Sequence, residues 1–248
     1  MKLSVCLALI LCIIPAVQGE IVIEVITYNH GEVELEGFLA WDNNNDNKRP
    51  GVLVVHEWIG LNDYAKMRYQ QLAEMGYVAF AVDMYGKGIR PQSNDEVSKQ
   101  AGIYQSDRNL MRQWVAAEFE VLLNNEFCDH NRVAAIGYCF GGGTVLELAR
   151  SGAEIAGVVS FHGNLDTLDP EIAKNMRCKI LVCHGADDPH VPNNQVAAFF
   201  EEMCTVGVDY QLLPTQGRYT PLQIPMLAMI LRRVRLTMNL LINVPGNI

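Results

Sequence analysis

The chain has 248 residues, half of them hydrophobic and 19% charged, with a net charge of -9. That composition suits one sizeable globular domain with a real core and excludes a disordered or fibrous protein. No basic stripe or aromatic-interleaved Lys/Arg run precedes the C-terminal segment, so nucleic acid is not an expected partner.

Residues 1–19 read as a secretory signal peptide. Lys2 supplies a positive start, residues 7–16 are apolar but short for a bilayer span, and Val17 and Gly19 are small residues at the -3 and -1 positions of a cleavage site. The mature protein is then expected to be secreted or periplasmic, with no stable membrane association after cleavage. A buried N-terminal helix or an uncleaved anchor is the alternative. Of seven cysteines, Cys6 and Cys12 leave with the signal; Cys128, Cys139, Cys178, Cys183 and Cys204 remain. An odd count in an oxidising compartment leaves at least one thiol free or shared between chains. There is no C-x₂-C pair and no ligand-like array of histidines, so no metal site is expected.

Extended segments at 21–27 and 34–40 meet at His30-Gly31, a hairpin signal. A polar turn at 43–48 precedes the apolar run 52–56, the pattern of a strand buried on both faces. Helical periodicity covers 64–75 and stops at Gly76; a second buried strand follows at 77–83, and a loop at 84–91 leaves it. Leu110, Trp114, Ala117, Phe119 and Leu122 mark a helix over 106–124, with Ser106 or Asp107 as cap. The remaining strands are predicted at 132–137, 156–161, 179–184 and 208–213, and the remaining helices at 140–150 and 194–206. Alternating strands and helices predict an α/β fold: a mostly parallel sheet with helices on both faces, in one domain over 20–213.

The stretch Gly137-Tyr138-Cys139-Phe140-Gly141 has the G-x-nucleophile-x-G shape of a nucleophile elbow, with cysteine in the place of serine. Glycines belong two residues either side because a side chain there would collide with the adjoining strand and helix. A helix N-terminus behind the sulfur favours thiolate, and the Phe140 N–H would face a developing oxyanion. A Rossmann phosphate loop requires glycine where Cys139 stands, so it fails; a buried inert cysteine is the bland alternative.

Downstream, His184-Gly185-Ala186-Asp187-Asp188-Pro189 leaves a strand where a triad acid would lie in chain order. Both aspartates are candidates and the pattern favours Asp188, whose role would be to orient a histidine and stabilise its imidazolium. An Asx turn explains an Asp before Pro equally simply. Upstream, His56-Glu57-Trp58 follows the strand that donates the second oxyanion N–H, making Trp58 the candidate donor. Glu57 at that strand's end has a place to hydrogen-bond the thiol, or is simply a solvated carboxylate.

Together these residues resemble the dienelactone hydrolase family, α/β-hydrolases with a cysteine nucleophile. The matching pieces are Pro50-Gly51-Val52, His56-Glu57-Trp58-Ile59-Gly60, Gly76-Tyr77 leading to Asp83-Met84-Tyr85-Gly86, the Cys139 elbow and the Asp188 loop. The resemblance implies a Cys-His-Asp hydrolase of small-molecule esters or lactones that needs no metal or organic cofactor. It implies that Glu57 pairs with the resting thiol, which swings towards the histidine when substrate binds. It also implies basic and phenolic groups near a substrate carboxylate, with Lys87 standing where an arginine would and Tyr85 close by.

The departure is at the end. The family carries its catalytic histidine on a Gly-rich loop after the last strand, yet all six histidines here lie at or before His190. Residues 211–248 hold four arginines and no His, Asp, Glu or Lys. So abrupt a break suggests that 214–248 is an aberrant tail read out of frame, which translating the other two frames would test. His162, at the end of a strand, and His184 and His190, around the acid loop, lie off the expected place. Two functions follow: a small-ester or lactone hydrolase, or a catalytically inactive relative that retains only the pocket. A disulfide exchanger fits poorly without a C-x-x-C pair. No oligomeric state is specified.

Overall fold

A computed structural model describes residues 19–44 and 46–215. The signal-peptide reading of 1–19, Gly19 apart, and the out-of-frame reading of the tail beyond Thr215 lie outside the described residues. Among the described residues, no helix is long and apolar enough to cross a membrane.

The chain opens on a hairpin. β1 (Ile21–His30) and β2 (Val33–Asp42) pair in antiparallel register from Ile21–Asp42 to His30–Val33. Gly31, at φ +61°, makes the turn that a side chain would resist. β3 (Arg49–Val55) is buried at every position and β4 (Val78–Val82) likewise, as continuous apolar runs dictate. β5 (Cys128–Tyr138), β6 (Gly157–Phe161), β7 (Lys179–Gly185) and β8 (Tyr210–Thr215) complete one eight-stranded sheet in the order β1-β2-β4-β3-β5-β6-β7-β8. Among the described residues, only the β1–β2 and β2–β4 pairings are antiparallel, so the sheet is mostly parallel as its pattern predicts.

Helices cover both faces. α1 (Asp63–Glu74), capped by Asn62 Oδ1 accepting the Ala65 N–H at 3.0 Å, buries Ala65, Tyr69 and Leu72 against Ala40, Val52 and Val54. α2 (Asn94–Ser106), α3 (Arg108–Leu123), α4 (Phe140–Arg150) and α5 (Asn193–Val206) contribute to the opposite core, with Trp114, Phe119, Leu146 and Phe199 among its members. Each such side chain contributes about 1.5–3 kcal/mol by leaving water. Periodicity misses α2, because it buries only Val97, Ala101 and Tyr104. Its start was nonetheless written in Ser93 and Glu96: Ser93 Oγ accepts the Glu96 N–H at 3.3 Å, and Glu96 Oε2 accepts the Gln92 N–H at 2.8 Å. A 3-10 helix, Pro170–Asn175, is a second element too short for periodicity to reveal.

α4 is buried along its whole length, and its last residue ties it to α5. The fully buried Arg150 bonds both Glu202 oxygens at 2.8 Å, Glu147 at 2.9 Å and the Leu165 carbonyl at 3.0 Å. Removing one partner of such a pair leaves uncompensated buried charge. Arg150→Met is therefore expected to cost about 3 kcal/mol in urea unfolding; a midpoint equal to the parent's would show that Glu147 and Glu202 find other partners or protonate at no cost.

Candidate active site

The residues of interest collect at the carboxyl edge of the sheet, where the parallel strands β3, β5, β6 and β7 end side by side. Cys139 occupies the bend between β5 and α4 at φ 53° and ψ -114°, a conformation costly for any residue with a Cβ. Backbone bonds hold it there. The Cys139 N–H donates to the Phe161 carbonyl at 2.9 Å, the Gly141 N–H to that of His56 at 3.1 Å, and the Gly142 N–H to that of Cys139 at 3.0 Å. The flanking glycines leave no space for more: a Cβ on Gly137 would sit 2.0 Å from the Gly141 oxygen.

Cys139 is half-buried, and the backbone N–H groups of Phe140 and Trp58 are both directed at its sulfur. These are the two donors chosen from sequence for an oxyanion. The expectation that the helix terminus makes a thiolate is corrected, however. Burial raises the Cys139 pKa; the Phe140 and Trp58 N–H groups oppose the rise, and the fields of Glu57 and Asp188 add to it. The net shift is upward, so the resting sulfur is a thiol and needs a base.

Glu57 lies close enough for its charge to act on Cys139, and burial raises its own carboxyl pKa against the opposing charge of Arg68. Its Oε1 is 3.8 Å from His162 Nε2. Asp188 is buried and Asp187 exposed, and the Asp188 carboxylate influences Cys139, His162 and His184. One Asp188 oxygen also accepts the His190 N–H at 2.8 Å, the bond of an Asx turn. Cys139, Glu57, Trp58, Phe140 and Asp188 are thus brought together.

Tyr85 joins them from below: it is buried, and its hydroxyl donates to the Trp58 carbonyl at 2.6 Å. Lys87 is directed elsewhere, its Nζ 3.0 Å from Glu34 on β2. The nearby cation that sequence reading passed over is Arg90, 2.6 Å from the buried Asp83, whose pKa burial raises to about 6 against the pull of Arg90.

His56 was legible as part of its motif, but its task was not. Burial lowers its pKa to about 4, so the ring is neutral. Its Nε2 accepts the Met84 N–H at 3.2 Å, which leaves Nδ1–H to donate to the Glu57 carbonyl at 2.5 Å. His56 and Tyr85 therefore grip consecutive carbonyls, Glu57 and Trp58, and fix the peptide whose N–H faces the sulfur. Tyr85→Phe removes one grip, worth about 1 kcal/mol. It is expected to slow acylation of Cys139 by p-nitrophenyl acetate about fivefold; an unchanged rate would mean that the His56 bond suffices.

Among the described residues, no group of three or more His, Cys, Asp or Glu side chains is placed to hold a metal ion. Among the described residues, no disulfide joins any of Cys128, Cys139, Cys178, Cys183 and Cys204. A cavity of about 660 Å³ lies between the 3-10 helix and α5, lined by Leu165, Pro170, Phe199 and Val206.

Comparison with known proteins gives a consistent set. The family described as "Dienelactone hydrolase family" matches residues 35–214. A solved structure titled "m3DLH" is 32% identical, covers 90% of this chain and all of its own, and superposes with a TM-score of 0.86. A dienelactone hydrolase-like promiscuous phosphotriesterase from metagenomic libraries is 33% identical over 92% of this chain and all of its own, with a TM-score of 0.84. The carboxymethylenebutenolidase of Pseudomonas sp. (strain P51) is 33% identical over 109 residues, 42% of this chain and 45% of that one.

Proposed function

The chain belongs to the dienelactone hydrolase family, and from that membership we propose that it cleaves small esters or lactones through a covalent intermediate on Cys139. The observation that carries this is one atom and its two donors: the sulfur of a half-buried cysteine on a strained bend, faced by the Phe140 and Trp58 N–H groups. In the first half-reaction the sulfur attacks the carbonyl carbon, and the oxygen takes up negative charge against those N–H groups. Expulsion of the alcohol leaves a thioester; for a lactone the alcohol stays tethered to the acyl group. Attack by water then releases the acid and restores the thiol. Asp188, buried and acting on the neighbouring imidazoles, is the group suited to orient a base. The carboxymethylenebutenolidase named above is a lactone-opening relative, which supports lactones as one substrate class.

A second reading has its own observation. The histidine that the family resemblance places after the last strand has no counterpart in 211–248, and the Cys139 thiol is held above its ordinary pKa. An inactive relative would keep the pocket and lose turnover. Incubation with p-nitrophenyl acetate separates the two. Repeated release of nitrophenolate together with an acetyl adduct on the Cys139 peptide is the result expected of a hydrolase. An adduct that forms once and persists supports the inactive relative, and no adduct with no release counts against both.

A further inference from the structure

Resting on that reading, we propose that His162 is the general base of this chain, taking the proton first from Cys139 and then from the hydrolytic water. The argument begins with strand order. β5 lies between β3 and β6, so the ends of β3 and β6 stand about 10 Å apart. Glu57 lies just past the end of β3, and His162 is the first residue past β6. Their side chains nevertheless approach to 3.8 Å, Oε1 to Nε2. To meet, they must cross the end of the intervening strand, and what stands at that end is Cys139. The imidazole therefore lies over the nucleophile.

The backbone at His162 is built to keep it there. With φ at +40°, it and Cys139 are the two non-glycine residues at positive φ among those described. Such conformations persist only where their surroundings enforce them, and they cluster at functional sites. Here the His162 N–H donates to the Cys183 carbonyl at 2.8 Å, and the preceding Phe161 carbonyl accepts the Cys139 N–H at 2.9 Å. The following residue, Gly163, is seated on the start of α4: a Cβ there would lie 2.5 Å from the Gly142 carbonyl carbon. The two strained residues thus share one hydrogen-bonded frame.

The charges around the ring suit a base. Glu57 faces it from the end of β3, and Asp188 from the loop after β7 and His184 from β7 itself act on it. Burial lowers the His162 pKa, the Asp188 charge opposes that and His184 adds to it. The imidazole is consequently neutral at physiological pH and able to accept a proton.

The proton balance closes. As the bond from Sγ to the carbonyl carbon forms, the thiol proton moves to His162; as the bond to the alcohol oxygen breaks, that proton passes to the leaving alkoxide. Water then gives one proton to His162 while its oxygen attacks the thioester. The C–S bond breaks, and the proton returns to sulfur. Ester and water become acid and alcohol, and Glu57 and Asp188 hold the transient imidazolium.

The test uses p-nitrophenyl acetate and four proteins: parent, Cys139→Ala, His162→Asn and His162→Gly. Asparagine tolerates positive φ better than most residues and glycine adopts it freely, which keeps the bend intact; matching melting temperatures verify this. The parent is expected to turn over, with kcat/KM rising with pH through an ionisation below the usual histidine value. His162→Asn should lose about 100- to 1,000-fold in kcat/KM and follow instead the alkaline ionisation of the thiol. Added imidazole should restore part of the activity of His162→Gly, which a merely structural side chain would not permit. Parent-like turnover in His162→Asn, or a parent that acylates once and never turns over, overturns this assignment while leaving Cys139 as the reactive group. Unchanged activity in Cys139→Ala overturns Cys139 as the nucleophile, and with it the reading on which this assignment rests.

Discussion

Cys139→Ala is expected to abolish ester turnover, lowering kcat/KM by at least about 1,000-fold, while moving the unfolding free energy by no more than about 1 kcal/mol. The asymmetry follows from what the sulfur does in the fold. Half-buried, it fills no core site, and alanine inherits the same backbone bonds to Phe161 and Gly142 at the same dihedral angles. The lost atom is therefore almost purely chemical. A serine in its place keeps the shape and loses nucleophilicity, because its hydroxyl is far less acidic than the thiol. Cys139→Ser should fall between alanine and parent. Steady-state rates with matched melting curves check both, and an alanine variant as active as the parent would move the chemistry to another residue.

The second large effect is on stability, at a residue that touches no substrate. Gly137→Ala is expected to prevent the native elbow from forming, at about 5 kcal/mol or more. The added methyl would lie 2.0 Å from the Gly141 oxygen and 2.3 Å from its carbonyl carbon, backbone atoms that cannot swing aside. Relief requires α4 to lift from β5. That movement would break the Gly141 bond to His56 and the packing of a helix buried at every position. Urea unfolding should show the loss; a variant with the parent's midpoint would mean that the bend is looser than its atoms indicate. Gly141→Ala meets the same obstacle from the other side, 2.5 Å from the carbonyl oxygens of Val55 and His56.

These two residues also show why so much was legible in the chain. A nucleophile elbow needs glycines for steric reasons that do not depend on the rest of the protein, so Gly137 and Gly141 announce the bend locally. The runs at 52–55 and 180–183 announce buried strands in the same way, through their unbroken apolar character. What stayed hidden depends on contacts between distant segments. That Glu57 and His162 approach across 105 positions follows from strand order, which periodicity does not give. That the sulfur is a thiol at rest follows from a balance of burial, two N–H groups and two carboxylates, whereas the sequence exposed only the favourable helix terminus. His56 was visible as a letter in a motif; its neutral ring clasping the Glu57 carbonyl is visible only in three dimensions. α2 escaped for a different reason, because it buries only Val97, Ala101 and Tyr104 and its signal sat in the cap at Ser93.

The close seating of Gly163 on Gly142 has a mechanical consequence. The two turns bearing Cys139 and His162 are pressed backbone to backbone, with no compressible side chain between them to act as a hinge. Warming such a joint does not let its halves drift apart by degrees; they stay in register until the whole assembly gives way. Loss of function on heating should accordingly be abrupt and coincide with loss of the fold.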